Sequence, residues 1–112
     1  MSLLNDQFFS ILDMDKDFAF KLAGILESST VKLLNELVEN IKENNGQKSK
    51  DILHTIKGSA ANFGAEKLME KSREVESVIH LLNAENTKEY LEQVDEIEQI
   101  FQLTLQELEE HR

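Results

Sequence analysis

The chain has 112 residues, no cysteine, no proline and a formal net charge of −10. That length supports one domain around one core, and the missing thiols exclude disulfides and thiolate metal centres. The acidity argues against nucleic acid or an anionic membrane as partner, and no apolar run reaches the ~18 residues needed to span a bilayer.

In chain order, Leu3, Leu4, Phe8, Ile11 and Leu12 recur at helical spacing and predict a short first helix. An aspartate of Asp13-Met14-Asp15-Lys16-Asp17 is expected to N-cap the next one. Phe18, Leu22, Ile25, Leu26, Leu33, Leu37 and Ile41 then trace a long apolar stripe, which the αL-tolerant Asn44-Asn45-Gly46 ends. A third helix is predicted from about Gln47 to Phe63, with Gly64 as its stop. The fourth begins near Ala65 and carries Leu68, Ser72, Val75, Ile79 and Leu82 on one face. Asn83 to Asn86 reads as a turn, and Asn86-Thr87-Lys88-Glu89 as a capping box. Tyr90, Val94, Ile97, Phe101, Leu105 and Leu108 form the seam of the last helix. No linker composition interrupts residues 1–112. The expectation is a single all-α domain: an up-down antiparallel four-helix bundle with a short N-terminal capping helix.

The third helix holds the most informative residues. At about 100° per residue, Ile52, Leu53, Ile56, Ser59, Ala60 and Phe63 share the core sector. Ser59 is read there as a packing residue whose hydroxyl bonds the preceding turn. His54 points roughly 150° away from that sector, with Lys50, Lys57, Gly58 and Ala61 on its side. A mid-helix glycine on an exposed face costs about 0.8–1 kcal/mol relative to alanine, so helix stability does not explain Gly58. Gly58 and Ala61 leave a flat strip beside the imidazole, where a partner loop can approach. Lys57 puts a mobile positive charge one turn from the ring, within reach of a phosphoryl oxygen. Charge is concentrated here too. From Lys48 to Arg73 six basic residues face three acidic ones, so that segment is +3 in a −10 chain.

His54-x-x-Lys57-Gly58-Ser59-Ala60, followed by Gly64-Ala65 and Leu68, resembles the histidine-containing phosphotransfer (HPt) domains of multistep phosphorelays, and the phosphotransfer domain of chemotaxis kinases. Element order and length resemble the family over the whole chain. The resemblance implies that His54 accepts a phosphoryl group on Nε2 from a receiver-domain aspartyl phosphate and passes it to a second receiver. It implies that Lys57 neutralises phosphoryl charge, Gly58 lets the partner approach, and Glu76, on the next helix, hydrogen-bonds the proximal ring nitrogen to orient His54. Lys50, Ala61, Lys67 and Arg73 are expected to meet the partner, with Lys48 and Lys71 as further basic candidates. The partners implied are response-regulator receiver domains and a hybrid sensor histidine kinase. The chain needs no cofactor of its own, because the receiver supplies Mg²⁺. Leu53 departs mildly from the family, which often has a small residue there.

An independent enzyme is not expected. A P-loop would need glycine in place of Phe63, a His-Glu-x-x-His motif is absent, and the chain is too short to include a kinase domain. The alternative class is a non-catalytic helical adaptor that binds receivers. His80 and His111 are read as surface bystanders. The N-terminus, Met1 to Gln7, lacks signal-peptide character, so a cytoplasmic protein is expected, and a monomer; Met1 and the absence of linker sequence favour a free-standing shuttle over the alternative, a domain of a larger kinase.

Overall fold

The structure, a computed structural model, describes residues 2–112; Met1, with which the expectation of a free-standing chain began, lies outside them. Every regular element among the described residues is helical: α1 (Asp6–Met14), α2 (Lys16–Lys42), α3 (Gly46–Phe63), α4 (Glu66–Val78), a 3₁₀ turn (Ile79–Leu81) and α5 (Thr87–Glu110).

Side chains set most of the starts. Asp15 accepts the Phe18 N–H at 3.1 Å to cap α2, and Asn45 accepts the Lys48 N–H at 3.0 Å to cap α3. Asn44, at φ 61°, turns the chain between them. The capping box expected at α5 is not made. Asn86 points back into its own loop, donating to the Leu81 carbonyl (2.9 Å) and accepting from the Asn83 N–H (2.8 Å). A tight asparagine turn thus outcompetes the helix end for that side chain.

Gly64 ends α3 at φ 93°, and the Ala65 N–H reaches the Ala60 carbonyl (2.9 Å) in a Schellman-type closure. The Gly64 carbonyl accepts the Asn5 N–H (2.9 Å), which ties this turn to the N-terminal segment. A Cβ on Gly64 would collide with the backbone of Phe8, so both its φ and its surroundings demand glycine.

α2 packs against α3 and α5, α4 packs against the same two, and α1 lies mainly on α2. The core they enclose includes Phe8, Leu37, Ile41, Leu53, Ile56, Leu68, Ile79, Ile97 and Phe101. The molecule is a rod of 47 × 24 × 18 Å. The predicted stripe of α2 needs correction: Phe18 and Ile25 are exposed, and the buried line is Ala19, Ala23, Leu26, Thr30, Leu34, Leu37 and Ile41. Alanines at the centre of the face let neighbouring helices come close, which moves the bulky residues to its margin. Ser59 is also only half-buried, and the described hydrogen bonds include none from its hydroxyl. Thr55, rather than Ser59, makes such a back-bond, to the Asp51 carbonyl at 3.0 Å. His111 is not a free surface residue, since its ring packs edge-on against Phe9 at 5.2 Å.

Candidate functional site

α3 and α4 are joined by only Gly64 and Ala65, so residues equally far from the turn face each other along the hairpin. Counted from Ala65, His54 and Glu76 are each eleven positions away, Lys57 and Arg73 each eight, and Lys50 and His80 each fifteen. Those pairs build the site.

His54 lies on the outer face of α3 with 69% of its side chain exposed, while Leu53 and Ile56 beside it are fully buried. Its Nδ1 stands 3.0 Å from Glu76 Oε2. The other carboxylate oxygen, Oε1, is 2.7 Å from Lys57 Nζ. Glu76 is therefore shared by the ring and the ammonium, and only 12% of its side chain is exposed. Burial alone would raise its pKa. Hydrogen bonds from Lys57 and His54, together with their positive charge, outweigh that and hold the carboxyl below its ordinary value. An ionised carboxylate can only accept, so the contact requires the proton on Nδ1. In the neutral ring Nε2 then carries the free lone pair, and it projects into solvent.

Gly58 is exposed, and a Cβ there would meet nothing within 4 Å. Ala61, also exposed, extends the same strip. Beside it a shallow groove of about 280 Å³ runs between α3 and α4, lined by Lys50, Lys57, Arg73, Glu76, Ser77 and His80.

The structure thus brings together His54, Lys57, Gly58 and Glu76, with Lys50 and Arg73 in the adjoining groove. It does not bring Lys67 to them. Lys67 lies nine residues before Glu76, roughly 13 Å along the helix axis, and pairs with Glu70 at 3.4 Å. Lys71 is engaged on the far side of α4, with Glu96 at 2.6 Å and Gln93 at 2.8 Å. His80, read from the sequence as a surface bystander, is exposed and also lines the α3/α4 groove. Its place opposite Lys50, and one turn beyond Glu76, was the signal available for that.

Among the described residues no group of three or more His, Asp or Glu is placed to hold a metal ion, and no helix is long and apolar enough to cross a membrane. The family model of the Hpt domain matches residues 21–111, nearly the whole chain. The protein belongs to the Hpt domain family, the phosphotransfer modules that work with receiver domains in phosphorelays. Searches of curated proteins and of solved structures gave no match.

Proposed function

We propose that His54 is the phosphoryl acceptor, and that this protein relays the group between two receiver domains. The frame is read as an up-down bundle of α2 to α5, capped by α1. In the forward step Nε2 attacks the phosphorus of a receiver aspartyl phosphate in line; the N–P bond forms as the P–O bond to the aspartate breaks, and the carboxylate leaves. The Nδ1 proton stays in its bond to Glu76, whose charge supports the ring as it becomes cationic. Lys57 sits where it can turn from Glu76 to a phosphoryl oxygen. Gly58 and Ala61 admit the receiver's loops. A second receiver's aspartate then takes the group by the reverse displacement. Mg²⁺ comes with the receiver's acidic pocket, and the phosphoryl group enters the relay from a hybrid sensor kinase. The carrier works as a monomer in the cytoplasm.

The observation that carries this reading is the contact between Glu76 and Nδ1 of a histidine whose far nitrogen is open to solvent. The test is labelling by phosphoramidate or a phosphorylated receiver. An acid-labile, base-stable label is expected on the wild type and none on His54→Gln, with unchanged circular dichroism. A label that persists in the variant removes His54 from this role, and a wild type that takes no label favours the adaptor.

A further inference from the structure

The seam between α4 and α5 carries a cleft that the acceptor chemistry does not use. It holds about 380 Å³, and its lining includes Glu74, Val75, Val78 and Leu81 on one bank and Glu89 and Tyr90 on the other. α4 ends at Val78, and the 3₁₀ turn carries Ile79 fully into the core, which leaves Val78 and Leu81 on the outside, 40% and 57% exposed. Val75 and Tyr90 are buried and form the floor. The hydrogen bonds of that floor are already made: the Tyr90 hydroxyl donates to the Val78 carbonyl at 2.6 Å, and Asn86 Nδ2 to the Leu81 carbonyl at 2.9 Å. Two exposed carboxylates remain at the rim. Glu89 has no side-chain partner among the described residues, and Glu74 has only Lys71, 3.4 Å from its Oε1. Burial, with the charge of Glu89, pushes the Tyr90 hydroxyl above its ordinary value, so that charge is felt at the floor. Among the described lining residues none is cationic. An acidic composition does not by itself put charge in a groove, since the one between α2 and α3, lined by Leu22, Ile25, Leu26 and Phe63, has no charged residue.

We propose that this cleft is a second docking surface, which seats a helix of a partner protein carrying leucine or isoleucine together with arginine or lysine on one face. A small amine would reach the carboxylates but leave Leu81 in water, whereas a helix laid along the seam covers Val78 and Leu81 together. The apolar contact supplies most of the affinity, and the carboxylates supply the sign, because an acidic helix would meet like charge at the rim. The cleft lies on the α5 flank of α4, while Glu76 and His54 meet on the α3 flank. Docking there leaves the acceptor open, so the protein can be tethered and still be reached by a receiver. The docking itself does not depend on the phosphotransfer reading.

The test titrates the full chain into a fluorescein-labelled helical peptide with leucine and arginine on one face and alanine and glutamine elsewhere, read by anisotropy. Saturable binding with a Kd below about 100 μM is expected. Glu74→Gln/Glu89→Gln should weaken it about fivefold, and the control Glu39→Gln/Glu98→Gln, which removes the same charge on α2 and on the opposite side of α5, by less than about twofold. Leu81→Ser, at an exposed position, should also weaken it about fivefold. Peptides with glutamate for arginine, or alanine for leucine, should bind at least about tenfold more weakly. Saturating peptide should leave phosphoramidate labelling of His54 near the unliganded rate. No saturable binding below about 1 mM, equal losses in the rim and control pairs, or binding undiminished without the leucines overturns the cleft as a docking surface. Labelling blocked by the peptide overturns its separation from the acceptor. A wild type that binds the peptide but takes no label counts against the phosphotransfer reading instead.

Discussion

The two flanks of α4 handle buried charge in opposite ways. Toward α5 one ammonium, Lys71, is shared among Glu96, Gln93 and Glu74, and only 13% of its side chain is exposed. Burial alone would lower its pKa, but the hydrogen bond to Glu96 and the charges of Glu74 and Glu96 raise it. Its three ammonium protons meet three acceptors, so Lys71 has none left to offer a visitor. Toward α3 one carboxylate, Glu76, is shared by His54 and Lys57, but the imidazole keeps a second nitrogen with no hydrogen-bond partner among the described residues. A saturated cluster can only hold helices together. An unsaturated one on the surface can also react.

The largest effect that would sharpen this contrast is expected from Gly58→Gln. A long side chain on the flat strip should slow transfer with a receiver by up to about a hundredfold, the loss that a misplacement of about 1 Å can cause. Its stability should be unchanged or higher by up to about 1 kcal/mol, read from a urea melt. Wild-type transfer in this variant would break the idea of docking over a bare strip.

Glu76→Gln comes next, with transfer expected to fall about tenfold as the ring loses its orienting charge. Nitrogen-15 NMR of His54 should show the proton no longer confined to Nδ1. The stability contribution has a definite sign. Because the folded-state pKa of Glu76 is lowered, the contribution is complete above the ordinary carboxylate value and disappears as pH falls through the lowered one. Wild type should therefore exceed Glu76→Gln by about 1 kcal/mol at neutral pH and converge with it in acid. A gap that grows on acidification would contradict the assignment.

Lys71→Met tests the other flank. About 1–2 kcal/mol of stability should be lost at neutral pH, with phosphoramidate labelling near the wild-type rate. The raised folded-state pKa of Lys71 means that its stabilisation is present below the ordinary lysine value and is lost as pH rises through the raised one. The smallest change is expected from Tyr90→Phe, which removes the 2.6 Å bond from the Tyr90 hydroxyl to the Val78 carbonyl and should cost about 1 kcal/mol.

Much of this was legible in the sequence where one helix could be read alone. The outward direction of His54 followed from the wheel, because Leu53, Ile56, Ala60 and Phe63 mark the buried side unambiguously. Ends governed by local chemistry, the aspartate cluster before α2, the Asn44-Asn45-Gly46 stop after it and Gly64, were legible for the same reason, though Asn45 also caps α3, which was not expected. What failed depended on other helices. Phe18 and Ile25 were assigned to the core because bulk suggests burial, whereas the close approach of neighbours selected Ala19 and Ala23. Asn86 carried a capping signal, but its loop claimed the side chain first. The placement of His80 across from Lys50, and the pairing of Lys71 with Glu96 of α5, each depend on a second helix and could not be read from one alone.

The bond between Asn5 and Gly64 has a consequence for the chemistry far away. The turn at Gly64 fixes how the two legs of the α3/α4 hairpin slide past each other, and the meeting of His54 with Glu76 is measured out from it, about 16 Å up each leg. The N-terminal segment therefore acts as a latch on register. Loosening it should detune the imidazole before it unfolds anything, so whatever pulls on that segment has a mechanical handle on the relay.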